Sequence, residues 1–311
     1  MRIRGFVSEL FGAHSHGHHV HAADDGLESS TDGIRAVKLS LVALAVTAVL
    51  QLAVTALSGS VALLADSVHN LGDAMTALPL WVAFAIGRRR ATRRYTYGYG
   101  RAEDLAGLFV VVMIAASAVV AGWQAISRLV DPRPVDHLWW VAAAGLIGFA
   151  GNELVAGYRI RVGRRIGSAA LEADGVHART DGLTSLAVVI GAIGVGLGWS
   201  WADPAIGLAI TAAIAVMLRS TARDVWRRLM DGIDPAIVEH AEHVLAEIPG
   251  VIAVRQLRMR WIGHRIHAEA DLVVSDDVTL AAGHDIAHDA EHRLTHAVPK
   301  LSTALVHAYP A

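Results

Sequence analysis

The sequence predicts an α-helical membrane domain followed by a small α+β domain. Hydrophobic residues make up 54% of the 311 residues and charged residues only 18%, whereas soluble chains carry about a quarter charged residues. The apolar residues gather in long stretches before residue 218, and residues 231–311 return to a polar composition. A net charge of −2 disfavours a nucleic-acid partner. The absence of cysteine excludes disulfides and thiolate metal ligands.

Six apolar stretches have the length of membrane-spanning helices, which need about 20 residues to cross the bilayer core. They cover residues 39–57, 61–86, 105–127, 138–158, 169–197 and 201–218. Arginines concentrate after the second, fourth and sixth stretches, in segment 88–94, at Arg159, Arg161, Arg164 and Arg165, and at Arg219, Arg223, Arg227 and Arg228. Because arginine-rich connections stay in the cytoplasm, we expect a multi-pass protein of the cell membrane with a six-helix domain over 36–222 and both termini cytoplasmic.

Two polar segments flank this domain. Residues 1–35 are predicted to form a disordered, His-rich cytosolic tail, with histidines at His14, His16, His18, His19 and His21. This histidine run either gathers metal or has no role. In residues 231–311 the pattern predicts a helix over 235–247, strands over 251–261 and 265–274, a helix over 279–296 and a strand over 303–309. That order indicates a small sheet covered by helices on one face.

One nine-residue pattern, A-D-x-V-H-x-x-x-D, occurs twice within the predicted spans. The first copy is Ala65–Asp73 in the second span, and the other is Ala173–Asp181 in the fifth. In each copy the histidine and the last aspartate are four residues apart, so both lie on one face of a helix. A charged side chain in mid-membrane costs roughly 2.5 to 3.5 kcal/mol. Repeated charges in two spans therefore indicate a function.

Facing each other, the two copies would supply two imidazoles and two carboxylates from His69, Asp73, His177 and Asp181. This set suits tetrahedral Zn²⁺ and lacks the all-oxygen ligands that Ca²⁺ and Mg²⁺ prefer. Two alternatives stay open: ion pairing that merely joins helices, and a proton relay without metal. Asp66 and Asp174 are either ligands or groups on the helix face. The remaining polar membrane residues either line a pathway or serve helix contacts, and they are Gln51, Asn152 and Glu153.

These features resemble the cation diffusion facilitator family of divalent metal/proton antiporters, and the resemblance covers nearly the whole chain. It rests on six spans, two H-x-x-x-D motifs, a basic loop, the C-terminal domain, and Tyr97–Glu103, which is similar to the family's G-Y-x-R-x-E segment. It implies that His69, Asp73, His177 and Asp181 bind the transported ion, of zinc type, and that metal exchanges against protons. It also implies a ferredoxin-like αββαβ cytosolic domain over 231–311 and a homodimer.

The sequence departs from the family pattern in two places. Some members bind a second ion in the loop after span two through histidines, where this chain has Tyr95 and Tyr99, so we expect that site to be missing. Some members bind regulatory metal between their cytosolic domains. His267, His284 and His307 match those positions, whereas Arg255 and Tyr309 replace other ligands. We expect a reduced cytosolic site.

The sequence therefore predicts proton-coupled efflux of Zn²⁺ by alternating access, in a secondary transporter that is not an enzyme. One alternative is a membrane-anchored metal sensor that uses the cytosolic histidines. Another is transport of Co²⁺, Cd²⁺, Fe²⁺ or Ni²⁺. An intramembrane metalloenzyme is disfavoured because the H-E-x-x-H motif, which would supply a general base, is absent from the sequence.

Overall fold

The computed structural model describes residues 18–58, 77–130, 138–199 and 201–311. Its first part is helical, with α1 (His18–Ser58), α2 (Ala77–Gly87), α3 (Arg101–Val130), α4 (Leu138–Ile166), α5 (Ala169–Gly196) and α6 (Ala202–Leu229). The second part contains α7 (Pro235–Ala246), β1 (Val251–Ile262), β2 (Arg265–Val274), α8 (Leu280–Ala297) and β3 (Leu301–Pro310). The predicted order αββαβ in the C-terminal domain is confirmed.

Four of the described helices are long and apolar enough to cross a membrane. Their spanning segments are Ser29–Val54, Arg101–Ser127, Trp139–Ile166 and Ala205–Leu229, which correspond to predicted spans one, three, four and six. Helix α5 occupies span five with 28 residues, but four charged side chains lower its hydropathy. Helix α2 forms the end of span two, and the rest of that span lies outside the described residues. Four spans are thus clear, and six remain a prediction.

Helix α1 begins earlier than the sequence suggested. Residues 18–35, which the composition places in a disordered tail, belong to the helix that continues into the first span. Contacts with neighbouring helices account for the later part of this extension. The Asp32 carboxylate lies 2.6 Å from the Arg165 guanidinium of α4, and a side chain at Gly33 would collide with the Phe84 ring of α2. His14 and His16 lie outside the described residues.

Helices α4 and α5 pack with their backbones close together. A Cβ atom at Gly175 would lie 2.9 Å from the backbone nitrogen of Ile160, and one at Gly163 would lie 2.8 Å from that of Glu172. Small residues at such positions let two membrane helices approach closely. Helix α5 also contacts α3 and α6, and these neighbours bury its side chains Asp174, His177 and Thr180.

The C-terminal domain is a three-stranded sheet in the order β1-β2-β3. Strand β2 pairs antiparallel with β1 and parallel with β3. Every second residue of β2 is apolar and buried on the face that α7 and α8 cover, and these residues are Ile266, Ala268, Ala270, Leu272 and Val274. Asp234 caps the start of α7, because its carboxylate accepts a hydrogen bond from the Ala236 backbone nitrogen at 3.0 Å.

Candidate metal transport site

The described half of the predicted transport site lies in the middle of α5. His177 is 1% exposed, and its Nδ1 lies 3.8 Å from Oδ1 of Asp181 one turn later. The Asp181 side chain keeps 11% of its surface exposed. His69, Asp73 and Asp66 lie outside the described residues. The structure therefore brings His177 and Asp181 together as the spacing predicted, and the four-ligand set as a whole stays a prediction.

The backbone of α5 carries these polar groups without a break. Thr180 and Thr184 donate hydrogen bonds to the carbonyls of Val176 and Thr180 at 3.1 and 3.0 Å. Threonine hydroxyls that bond to the preceding turn satisfy themselves within the helix. The helix can therefore present the His177 and Asp181 side chains to its surroundings while its other polar groups need no ligand.

Asp174, the first aspartate of the repeated pattern, pairs with an arginine of α4. Its Oδ2 lies 2.9 Å from Nη1 of Arg159, and the two side chains are 0% and 2% exposed. The sequence grouped Arg159 with the arginines of a cytoplasmic connection. That placement is wrong, because α4 continues to Ile166 and Arg159 is a buried residue within this helix. The contact favours a helix-joining role for Asp174 over a ligand role.

The other polar membrane residues also serve helix contacts. Arg179 of α5 forms a two-pronged contact with Glu153 of α4, with distances of 3.1 and 2.6 Å. Gln51 of α1 is buried and donates to the Ala144 carbonyl of α4 at 3.2 Å. Asn152 is buried beside Gly182 of α5. These contacts connect α4 with α1 and with α5.

The three cytosolic histidines do not converge within one chain. His267 of β2 pairs in register with Thr303 of β3, whereas His307 pairs with Asp271. Four residues of strand separate the two histidines, or about 13 Å. His284 lies on α8, in the layer that covers the opposite face of the sheet. The part of the chain that the structure describes contains no group of three or more acidic or histidine side chains placed to hold a metal.

His267 nevertheless has the properties of a neutral imidazole. Burial lowers the pKa of His267 below its usual 6.5, and the guanidinium groups of Arg260, Arg265 and Arg101 lower it further. Its Nε2 lies 3.4 Å from the hydroxyl of Ser302. A metal bound to His267 in this structure would need ligands other than His284 and His307 of the same chain, so the cytosolic site stays a prediction.

The β1–β2 turn joins the cytosolic domain to the membrane domain at the start of α3. Nδ1 of His264 lies 2.8 Å from Oε2 of Glu103, and both side chains are nearly buried. The backbone nitrogen of Gly263 donates to Asp104 at 3.3 Å. Gly263 has φ +61°, and a Cβ there would lie 3.0 Å from the Gly100 carbonyl, so glycine suits this close approach. No pattern in the sequence indicates the contact between His264 and Glu103.

Arginine and lysine side chains complete this domain junction. Arg228 at the end of α6 donates to the carbonyls of Gly167 and Gly263 at 2.6 and 3.1 Å, and its guanidinium lies 4.2 Å from the centre of the Trp261 ring. Lys300 donates to the Arg164 carbonyl at the end of α4. Contact between Arg101 and Asp231 adds a further ion pair. The junction thus connects α3, α4 and α6 with the cytosolic sheet.

Aromatic side chains make the contacts of the loop between α2 and α3. The rings of Tyr95 and Tyr99 contact each other in a tilted arrangement, with 4.9 Å between their centres. Tyr97 is 69% exposed, with the Arg260 guanidinium of β1 lying 5.2 Å from its ring. The loop is therefore held by aromatic contacts, and it contains no imidazole.

Comparisons with known proteins identify the chain. Residues 37–230 match the family description "Cation efflux transmembrane domain", and residues 233–311 match "Cation efflux protein, cytoplasmic domain". The "Probable cation efflux system protein Rv2025c" of Mycobacterium tuberculosis is 62% identical over 99% of this chain and 93% of the relative.

The chain is also similar to more distant proteins. The "Cadmium, cobalt and zinc/H(+)-K(+) antiporter" of Bacillus velezensis is 28% identical over 80% of this chain and 82% of its own length. The "Manganese efflux system protein MneS" of Bacillus subtilis is 25% identical over 82% and 88%. The nickel form of a variant MamM C-terminal domain is 22% identical and matches 25% of this chain and 99% of that domain, with a TM-score of 0.25. The chain therefore belongs to the cation efflux family, the cation diffusion facilitators, which export divalent metal cations across membranes.

Proposed function

We propose that this transporter exports Zn²⁺ from the cytoplasm in exchange for protons, by alternating access around His69, Asp73, His177 and Asp181. The observation that carries the proposal is the His177–Asp181 pair, one turn apart within the helical bundle. The same spacing recurs at His69 and Asp73. Two helices would then supply two nitrogen and two oxygen ligands, a set that suits tetrahedral zinc.

Proton coupling follows from the chemistry of these ligands. Zinc binds neutral imidazole and ionised carboxylate, so binding from the cytoplasm releases protons. When the site faces the other side, protons compete for the imidazoles, whose reference pKa of about 6.5 lies in the useful range. Protonation turns each imidazole from a ligand into a cation and expels the metal. An inward proton gradient then drives metal outward.

Imidazole ligands also bear on the choice of metal. Imidazole suits zinc and its transition-metal neighbours, whereas manganese favours oxygen ligands. Both copies of the motif in this chain carry histidine. This donor set favours the metals in the name of the Bacillus velezensis relative over manganese, the metal in the name of MneS. Zn²⁺ is therefore proposed first, followed by Co²⁺, Cd²⁺, Fe²⁺ and Ni²⁺.

The proposed arrangement in the cell membrane has six spans and both termini in the cytoplasm. Arginine-rich ends of α4 and α6 and the loop after α2 would share the cytoplasmic side with the C-terminal domain, which contacts all three regions. The match of residues 233–311 to the family's cytoplasmic domain supports a homodimer. In this orientation the domain junction faces the cytoplasmic end of α5.

The test is zinc flux in sealed proteoliposomes, with internal pH recorded at the same time. The wild type is compared with Asp181→Ala and with Asp276→Ala, an exposed carboxylate in the cytosolic domain that serves as a matched control. We expect the wild type and the control to move zinc and to move protons in the opposite direction. Asp181→Ala is expected to lose both movements while it stays folded.

A different experimental result would contradict each part of the proposed function. Normal zinc flux in Asp181→Ala would remove this residue from the site. Zinc flux without proton movement in the wild type would disprove exchange. Zinc binding without any flux in the wild type would favour the membrane-anchored sensor, and the cytosolic histidines would then become the relevant ligands.

A further inference from the structure

Five arginines crowd the first half of the loop between α2 and α3. This arginine loop, defined as residues 88–94, contains Arg88, Arg89, Arg90, Arg93 and Arg94. All seven of its residues are exposed. It follows directly on the apolar helix α2, and the spanning segment of α3 begins at Arg101. The five charges are therefore held beside the ends of two membrane helices.

The arginine loop has no acidic partner among the described residues. The nearest acidic residues along the chain, Glu103 and Asp104, contact His264 and the Gly263 backbone instead. Other arginines near the same end of the bundle do have partners, since Arg164 pairs with Glu172 and Arg165 pairs with Asp32. Five like charges within seven residues, without an acidic partner in the described part of the chain, repel one another unless an anion neutralises them.

The loop holds these charges in an ordered turn. Thr92 and Tyr95 exchange backbone hydrogen bonds of 3.1 Å, and the Arg89 nitrogen donates to the Ile86 carbonyl at 2.9 Å. Tyr95 then stacks on Tyr99. Because the backbone is already shaped, an anion that binds here does not have to order the chain first.

We infer that the arginine loop binds the headgroups of anionic phospholipids in the cytoplasmic leaflet. Clusters of arginine or lysine directly beside a spanning helix are attracted to the negative surface of that leaflet. Guanidinium groups form two parallel hydrogen bonds to a phosphate. Tyr95, which follows the arginine loop directly, is 48% exposed, and tyrosine suits the interface between lipid and water.

The position of the loop favours lipid over a soluble anion. The arginine loop begins directly after α2, and the spanning segment of α3 begins seven residues after the loop ends, so in the proposed orientation its guanidinium groups lie close to the headgroup layer. The residues that follow the arginine loop contact the cytosolic domain through Tyr97 and Gly100. The arginine loop itself lies next to the end of α2. The cytoplasmic location rests on the orientation in the proposed function.

The test measures lipid preference in reconstituted membranes. Full-length transporter is placed in phosphatidylcholine vesicles that contain a minor share of spin-labelled phosphatidylglycerol or spin-labelled phosphatidylcholine. The fraction of motionally restricted label gives the relative association of each lipid. The loop variant carries Arg88→Gln, Arg89→Gln and Arg90→Gln. The matched control carries Arg255→Gln, Arg258→Gln and Arg293→Gln, three exposed arginines of the cytosolic domain.

We expect the wild type and the control to prefer phosphatidylglycerol, with a preference that weakens as salt rises. One arginine near an anionic surface is worth about a fivefold change in association. The preference of the loop variant for phosphatidylglycerol is therefore expected to fall at least about tenfold. Replacement of the same three residues by lysine is expected to retain part of the preference.

Three results would overturn the inference: no preference in the wild type, an undiminished preference in the loop variant, or removal of the preference by inorganic phosphate at matched ionic strength. Zinc flux of the same preparations separates this inference from the proposed function. Intact flux without lipid preference rejects only the lipid site. Lipid preference without flux rejects only zinc transport.

Discussion

Pairs of buried ionisable side chains lie at two boundaries in this molecule, between α4 and α5 and between the membrane and cytosolic domains. The two pairs differ in their exposure and in the kind of groups that form them. Between α4 and α5, Arg159 and Asp174 form a pair that is closed to solvent, at 2% and 0% exposure. Between the membrane and cytosolic domains, Glu103 and His264 form a pair with 6% and 10% exposure, in which one partner is charged only when protonated. The first boundary is joined by an ion pair closed to solvent, whereas the second is joined by a contact that keeps slightly more solvent access.

This difference bears on which parts move during transport. Alternating access requires some helices to shift relative to others, whereas the groups that join a rigid unit should remain paired. The Arg159–Asp174 pair and the close glycine contacts make α4 and α5 one unit. The domain junction consists of a histidine, backbone carbonyls and a stacked arginine. We infer that contacts at the domain junction change during transport, whereas α4 and α5 move together as one unit.

The largest expected effect is the loss of the buried membrane pair. Arg159→Met leaves the Asp174 carboxylate buried without its cation, and breaking such a pair costs about 3–5 kcal/mol. We expect a strong fall in thermal stability in detergent. The double variant Arg159→Met with Asp174→Leu is expected to recover most of that loss, because apolar replacements of a buried pair are tolerated.

A second pair between the same helices provides the control for this prediction. Glu153 and Arg179 are 39% and 36% exposed, so Arg179→Met is expected to cost no more than about 1 kcal/mol. Equal losses for Arg159→Met and Arg179→Met would mean that burial does not distinguish the two pairs. The view of α4 and α5 as a unit held by a buried charge would then be wrong.

The next effect concerns the domain junction and is smaller. A hydrogen bond to a charged group contributes about 1.5–3 kcal/mol when its partners are partly desolvated. A double-mutant cycle of Glu103→Ala and His264→Ala is therefore expected to give a coupling energy of about 1–3 kcal/mol in the free energy of unfolding. The exposed pair His243 and Glu247, 3.2 Å apart on α7, is the matched control. Its coupling is expected to be near zero.

A zero coupling energy at Glu103 and His264 would show that the turn only rests on α3. Hydrogen exchange adds a readout that a purely local effect would not change. We expect His264→Ala to raise exchange at the start of α3 as well as in the β1–β2 turn. An increase confined to the turn would contradict a mechanical connection between the domains.

The sequence predicted most of the fold because local patterns determine it. The alternation of Ile266, Ala268 and Ala270 defines β2 and its buried face, and the strand and helix bounds of the cytosolic domain agree to within about two residues. Membrane helices follow equally from apolar length. The start of α1 at His18 was missed because composition indicates a polar tail, whereas contacts such as Asp32 with Arg165 lie far apart in sequence.

The candidate site was predictable only in part, for the same physical reason. His177 and Asp181 are one helical turn apart, so spacing alone placed them together. Asp174 and Arg159 lie on different helices, and no periodicity shows that they meet. The contact of His264 with Glu103 spans 161 residues of sequence. In the cytosolic domain, strand register sets His307 opposite Asp271 rather than His267, and only the paired sheet reveals that register.

The smallest expected effect is a pH dependence beside the junction. Burial and three guanidinium groups, including Arg101 of α3, lower the pKa of His267 below 6.5 in the folded chain. Below about pH 6.5 the unfolded state therefore binds more protons than the folded state, and the free energy of unfolding falls as pH drops. We expect metal-free full-length transporter to show faster hydrogen exchange in β2 at about pH 5.5 than at about pH 7.5, after correction for intrinsic rates. The effect should be below about 1 kcal/mol because His267 is partly exposed.

Two variants separate the causes of this pH dependence. His267→Gln is expected to weaken it, since the titrating group is gone. Arg101→Gln is expected to weaken it less, because one of the cations that lower the pKa of His267 is removed while burial remains the largest cause. An unchanged pH dependence in His267→Gln would assign the titration to another group. A weaker pH dependence in Arg101→Gln would show that a charge on α3 influences the pKa of His267 in the cytosolic sheet. The domain junction would then include an electrostatic interaction as well as direct contacts.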